Sequence, residues 1–250
     1  MLFRSFFQGN KNESFNLYHA GCRDGVKFEP AEPIIELSGQ ILGAFFPTIH
    51  VSGRKFFIVW QGRSESYVDD LFFIRSFNGG KSWGGKEKIK RAQGSSVAPA
   101  VLLHRDNLYI AYQNNEKGSW DIRLLKGMGT GEVFSSESKK VSLTNVNCYS
   151  PAIVPVGDDC MVLWYDAREG TNNIYARRYY ITEDRFGEEM RLSTRNIDAR
   201  KPKAVSLDNR VVAMWEEGGI IIGKTTDVHV DPPVVFSETQ PEGVWSKSPF

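Results

Sequence analysis

A chain of 250 residues with 31 Lys and Arg against 30 Asp and Glu carries a formal charge of +1. That balance leaves no basic footprint for sequence-independent binding of nucleic acid or an anionic bilayer. Hydrophobic residues make up 41% and charged residues 24%, an ordinary globular composition, and apolar runs such as Phe56 to Trp60 fall far short of the roughly 20 residues that span a membrane.

The organising feature is a repeat. Prolines enter apolar stretches at Pro47, Pro99, Pro151 and Pro202, spaced by 52, 52 and 51 residues, and an aromatic follows each at +13: Trp60, Tyr112, Trp164 and Trp215. Phe7 fits the same slot 53 residues before Trp60. Ten or eleven residues after the aromatic, an apolar residue follows Asn or Asp, in Asn16-Leu17, Asp70-Leu71, Asp121-Ile122 and Asn173-Ile174. A second aromatic closes each unit, at Phe28, Trp83, Phe134 and Phe186. Between these landmarks lie short β-branched and aromatic stretches bounded by Gly, Asn, Asp and Ser, so each unit reads as four strands, A to D. A follows the proline, B ends at the first aromatic, C follows the Asp or Asn, and D lies beyond the closing aromatic. No segment has a helical period. The expected fold is all-β, a β-propeller of four-stranded blades with about five represented, because a sandwich does not explain the in-register spacing.

In chain order, residues 1–45 supply strands B, C and D, with strand A falling before Met1. Units follow over 46–94, 95–146 and 147–198, and a fifth over 199–230 loses the pattern after Ile222. Asp231-Pro232-Pro233 cannot continue a central strand, since proline removes the ladder donor. Residues 231–250 are therefore expected to leave the propeller, as a linker or the start of an immunoglobulin-like or fibronectin-like domain; alternatively Pro249 opens another blade. The chain reads as a fragment of a larger polypeptide.

Between strands C and D of the second unit stands Ser76-Phe77-Asn78-Gly79-Gly80-Lys81-Ser82-Trp83. It resembles the Asp-box, S-x-D-x-G-x-[ST]-W, the bacterial neuraminidase repeat of the sialidase superfamily. Ser76, Gly80, Ser82 and Trp83 match, and Asn78 stands for the usual Asp. The pattern suits a tight hairpin, with glycine at positive φ, the Asn side chain capping turn amides and the indole packed beneath. Gly21 to Phe28 keeps the glycine and closing aromatic, while Gly127 to Phe134 and Arg178 to Phe186 keep little more than the aromatic. The resemblance implies a sialidase-like propeller over residues 1–230, with the boxes on the face opposite the functional funnel.

On the funnel face it places the B–C loops, at Gln8-Gly9-Asn10, Gln61-Gly62-Arg63, Gln113-Asn114-Asn115, Tyr165 to Arg168 and Glu216-Glu217. The D–A connections add Arg91, Tyr149, Arg195, Asp198 and Arg200. Retaining sialidases hold the substrate carboxylate with three arginines, whose planar forks give bidentate bonds, and use a Tyr–Glu nucleophile pair and an Asp acid/base. The resemblance then offers Arg63, Arg168 and Arg200 as substrate-binding, Tyr149 or Tyr165 with Glu216 as the nucleophile pair, and Asp166 or Asp69 as the acid. The family's Arg-Ile-Pro motif is absent; Phe3-Arg4-Ser5 matches it only superficially. The glutamines at Gln8, Gln61 and Gln113 are expected to bond the backbone of the neighbouring blade.

The three cysteines, Cys22, Cys148 and Cys160, form neither a disulfide framework nor a CxxC pair, so they are read as small core or loop residues. His19, His50, His104 and His229 lack metal-ligand spacing, and neither a metal nor a cofactor is expected. The lysine run at 84–91 reads as a guard on an outer strand. Met1 to Phe7 lacks the h-region and cleavage site of a signal peptide. The functional expectation is a non-catalytic module of a secreted or surface multidomain protein, binding glycan or protein through its funnel and contacting adjacent domains. The alternative is an exo-acting glycosidase of the sialidase type.

Overall fold

Alternating apolar side chains can be buried on both faces of a sheet only when another sheet lies on each side, and the second strand of each unit has that pattern. The computed structural model describes residues 3–11, 14–22, 26–35, 41–64, 68–89, 93–129, 133–207 and 210–227. Arg91, residues 231–250 and the side chains of Phe7, Gln8 and Asn10 lie outside the described residues. Among the described residues every regular element is a strand, and the arrangement is a β-propeller.

The first sheet contains β1 (Phe3–Lys11), β2 (Ser14–Cys22), β3 (Glu32–Ile35), β4 (Ile41–Ser52), β5 (Lys55–Ser64), β6 (Asp69–Ser76) and β7 (Glu87–Ile89). The second holds β8 (Ser96–His104), β9 (Asn107–Asn114), β10 (Asp121–Met128), β11 (Val133–Phe134) and β12 (Lys139–Lys140). The third holds β13 (Cys148–Val156), β14 (Asp159–Asp166), β15 (Asn173–Tyr180) and β16 (Arg185–Arg191). The fourth holds β17 (Ala199–Leu207), β18 (Arg210–Glu217) and β19 (Ile220–Asp227).

Five sequence units thus fold into four sheets, which corrects the expected blade count. The reason is one parallel pair, Phe15 with Gly43, which joins β2 to β4 and merges the first two units. Spacing along the chain counts units; backbone pairing counts sheets.

Four apolar clusters fill the interfaces between successive units. Leu108, Ile110 and Tyr112 of β9 pack on Phe57, Val59 and Phe73 of the first sheet. The alternate residues Tyr109 and Ala111 pack on Cys160, Val162 and Trp164 of β14. Met161 and Leu163 then face Val211, Ala213 and Trp215 of β18. Trp60 sits with Leu17 and Ile34 of the first unit. All three cysteines are buried, and among the described residues they form no disulfide. On its far side the fourth sheet exposes Val205, Leu207, Met214 and Ile221, whose register counterparts Val154, Val156, Leu163 and Ile174 in the third sheet are buried.

The repeated prolines do not open strand A. They stand inside it, at a register shift between Phe45 and Thr48, Val97 and Ala100, Tyr149 and Ala152, and Arg200 and Lys203. A bulge leaves one residue without a ladder partner, and there a missing N–H costs nothing. The residue before each proline has positive φ: 49° at Phe46, Ala98 and Ser150, and 55° at Lys201. Two bulges are tied to the preceding unit as the sequence predicts, since Gln61 Oε1 accepts the Ala98 N–H at 3.5 Å and Gln113 Oε1 accepts the Ser150 N–H at 2.9 Å.

On the opposite end of the sheets, the turn after β6 is held by its own side chains. Ser76 Oγ accepts the Gly80 N–H at 2.9 Å, Asn78 Oδ1 accepts the Ser82 N–H at 3.0 Å, and Asn78 Nδ2 donates to Ser82 Oγ at 2.7 Å. Gly79 and Gly80 have φ of 74° and 78°, and a Cβ on Gly80 would stand 3.3 Å from the Phe56 ring. Trp83 packs beneath, against Phe6 and Phe56 with centroids 6.3 Å away in each case.

Gln113→Ala removes the acceptor of a bulge amide wedged between two sheets, and we expect it to cost about 1 to 2 kcal/mol in urea unfolding. Gln61→Ala, whose bond is longer, should cost less. Equal, negligible losses for both would show that the glutamines do not hold the bulges.

Candidate functional site

Of the candidate residues predicted in B–C loops, Arg168 lies in the turn after β14 and the others belong to the ends of strands. Arg63 lies on β5, Tyr165 and Asp166 on β14 and Glu216 on β18, while Tyr149 and Arg200 lie on the first strands of their sheets. Strand ends are stiffer platforms than loops, so the sheets position these groups.

Asp166 is completely buried, and its partners explain how. It accepts the Trp164 indole N–H at 3.0 Å, the Arg168 backbone N–H at 3.1 Å, and Arg168 Nε and Nη2 at 2.9 and 2.6 Å. Arg168 Nη1 also bonds Glu189 on β16, and its guanidinium lies 4.0 Å from the Tyr175 ring centroid. Burial alone would lower the Arg168 pKa, but the two carboxylates outweigh it and hold the group charged. The chain of contacts continues through Tyr175, whose hydroxyl donates to Glu169 at 2.8 Å, to Arg191, 2.6 Å from Glu169. Next to Asp166, burial pushes the Cys148 thiol up to about 12, so it stays protonated and inert at neutral pH.

Arg63 makes a bidentate pair with Asp69, Nε to Oδ1 at 3.0 Å and Nη2 to Oδ2 at 3.1 Å. Arg200 pairs with Asp198 at 2.7 Å, both side chains about half exposed. The three arginines offered as a carboxylate clamp therefore enter three separate ion pairs.

A different set does come together, at the seam between the third and fourth sheets. Tyr149 and Tyr165 are cross-strand partners with ring centroids 5.4 Å apart, tilted by 31°. Burial raises the Tyr165 pKa, opposed by the nearby Arg200 charge and a hydrogen bond with Ser150. Arg200 stands opposite Glu216 in the β17–β18 register, and Glu216 lies 3.5 Å from Lys201 Nζ. Two half-buried phenols beside exposed charged groups can stack on one face of a ligand and hydrogen-bond its edge.

Glu217, placed with Glu216 on the funnel face by the sequence and given no role there, is instead a buried group. It is 2% exposed and accepts the Trp215 indole N–H at 2.8 Å, with Arg195 Nε 3.8 Å away. The signal is present in the chain as Trp164-x-Asp166 and Trp215-x-Glu217: residues two apart on a strand share a face, which sets the acid beside the indole.

The axis holds a cavity of about 400 Å³ lined by β4, β8, β13 and β17, including Phe46, Ala98, Ser150 and Lys203. Among the described residues no cluster of His, Cys, Asp and Glu could hold a metal ion.

No protein-family model matches the sequence, and no curated protein does. Solved structures do match. The NanB sialidase from Streptococcus pneumoniae superposes over 95% of this chain with a TM-score of 0.66 at 8% identity. The Hadza microbial sialidase Hz136 gives 0.65 over 92% at 14%, and a thermostable family-43 glycoside hydrolase 0.55 over 82% at 11%. The likeness is one of fold. This chain spans 58% and 55% of the two sialidases and 74% of the family-43 enzyme.

Arg168→Ala strands a buried Asp166 carboxylate, and the expected loss of stability is about 3 kcal/mol. Arg200→Ala breaks only an exposed pair and should change stability by less than about 1 kcal/mol. Thermal or urea unfolding of the two variants checks the contrast, and similar losses in both would refute this division of roles.

Proposed function

We propose that the chain is a non-catalytic, glycan-binding propeller module of a larger secreted or surface protein, and that ligand meets the funnel face at the Tyr149–Tyr165 seam. The observation that carries this reading is the separate pairing of Arg63, Arg168 and Arg200 with carboxylates of their own. A guanidinium already satisfied by Asp166 and Glu189, or held bidentate by Asp69, has little left to offer an anionic substrate. Paired aromatic faces with polar neighbours suit instead the apolar face and hydroxyl edge of a sugar ring. The glycoside hydrolases among the similar folds support a glycan as ligand. Under the same reading, Ser76 to Trp83 is an Asp-box with Asn78 in the Asp position, supported by the hydrogen bonds that close that turn. Adjacent domains of the parent chain are the expected further contacts.

The second reading, an exo-acting glycosidase, is favoured by Arg200 and Glu216 facing each other across β17 and β18 beside two tyrosines. Hydrolysis of a fluorogenic glycoside panel led by sialosides, run beside binding to immobilised oligosaccharides, separates the two. We expect binding without turnover, and a loss of at least about tenfold in affinity for Tyr165→Ala in a variant that still unfolds cooperatively, its Tm lowered by the packing lost. Turnover that disappears in Arg200→Ala and in Glu216→Ala would establish the enzyme instead.

A further inference from the structure

The four bulges around the axis have a feature that folding does not require. Each places a residue bearing a side chain, Phe46, Ala98, Ser150 or Lys201, at φ between 49° and 55°. That region costs a residue with a Cβ about 1 kcal/mol or more, and glycine adopts it freely. Glycine occupies none of the four positions, whereas positive-φ glycines occur at Gly53, Gly79, Gly80 and Gly157 in the turns. The framework sustains the strain, since Gln61 and Gln113 fasten two of the bulge amides from the preceding unit.

The location of the bulges suggests what their side chains do. Phe46, Ala98 and Ser150 all line the axial cavity, whereas at the fourth bulge the lining residues are Lys203 and Ala204, beyond the proline. Phe46 is 66% exposed, an unusual state for a phenylalanine in a recess. Lys201, 69% exposed at its side chain, is balanced by Glu216 at 3.5 Å. Ser150 follows Tyr149, the cross-strand partner of Tyr165, which joins the bulge to the aromatic seam. Stepwise changes of residue at these positions alter the lining of the cavity while the backbone stays the same.

We propose that the bulge residues Phe46, Ala98 and Ser150 are the specificity-determining positions of the axial cavity, with Phe46 the stacking face for a neutral pyranose ring and Ser150 its polar contact. A neutral ring fits because the arginines near the seam are paired and Lys201 is matched by Glu216. The inference rests on the glycan-binding reading above and specifies its ligand class and the residues that read it.

The test uses the full chain with xylotriose, lactose and N,N′-diacetylchitobiose as neutral probes and sialyllactose as the acidic one. Dissociation constants are compared for the wild type, Phe46→Gly and Phe46→Ala, with Tm measured for each. The expected result is binding of at least one neutral probe, weakened about tenfold or more in both variants, while Phe46→Gly keeps its Tm within about 3 °C because glycine relieves the positive φ. Unchanged affinity in Phe46→Gly overturns this inference and leaves the glycan-binding reading standing. Lost affinity with a large fall of Tm in both variants would assign Phe46 to the framework and overturn it as well. Binding of sialyllactose alone overturns the neutral class. Failure of the wild type to bind any probe removes the glycan-binding reading, and this inference with it.

Discussion

Each sheet presents one large aromatic residue to the unit before it, and the rest of the molecule is arranged around that contact. Trp60, Tyr112, Trp164 and Trp215 are at most 2% exposed and lie in four successive apolar clusters. Burying such a ring contributes several kcal/mol. It also sets direction. Because neighbouring residues on a strand point to opposite faces, fixing the aromatic toward the preceding sheet commits the residues beside it, Leu163 or Ala111, to the other face.

The same alternation separates structure from surface at the candidate site. Asp166 and Glu217, two residues beyond their tryptophans, share the aromatic's side of the sheet and are buried as hydrogen-bond acceptors of the indoles. Tyr165, one residue beyond Trp164, lies half-buried on the opposite side, at the seam with the fourth sheet, while Glu216, one residue beyond Trp215, shares the far side of the fourth sheet with Met214. A buried carboxylate must be compensated, and Arg168 does this for Asp166 while Glu189 and Tyr175 complete the guanidinium's surroundings. An arginine used in that way is a framework group, whatever its resemblance to a substrate clamp in the linear sequence.

The bulges add a second layer. Proline in the middle of a first strand would ordinarily break its ladder, and the register shift at each site absorbs it. The shift turns Phe46, Ala98 and Ser150 toward the axis, and the amides of Ala98 and Ser150 meet a glutamine of the unit before. Folding and display are thus joined at Ala98 and Ser150: the glutamine holds the bulge amide, and the residue before the proline faces the cavity.

The repeat, the four-stranded units, the inward aromatics and the bridging role of Gln61 and Gln113 were legible in the sequence, because fixed spacings record packing that recurs once per unit. Ser76 to Trp83 was legible for the same reason, its turn being held by local hydrogen bonds. The number of sheets was not, since a single parallel pair between Phe15 and Gly43 merges two units and no spacing encodes it. Nor was the place of the prolines within strand A, as a bulge is a property of pairing with the next strand. The partners of Arg63, Arg168 and Arg200 were decided by tertiary structure alone. A sequence lists the charges a face carries, but which carboxylate satisfies which guanidinium depends on side-chain reach across strands and loops that only the folded sheets bring within 3 Å or so.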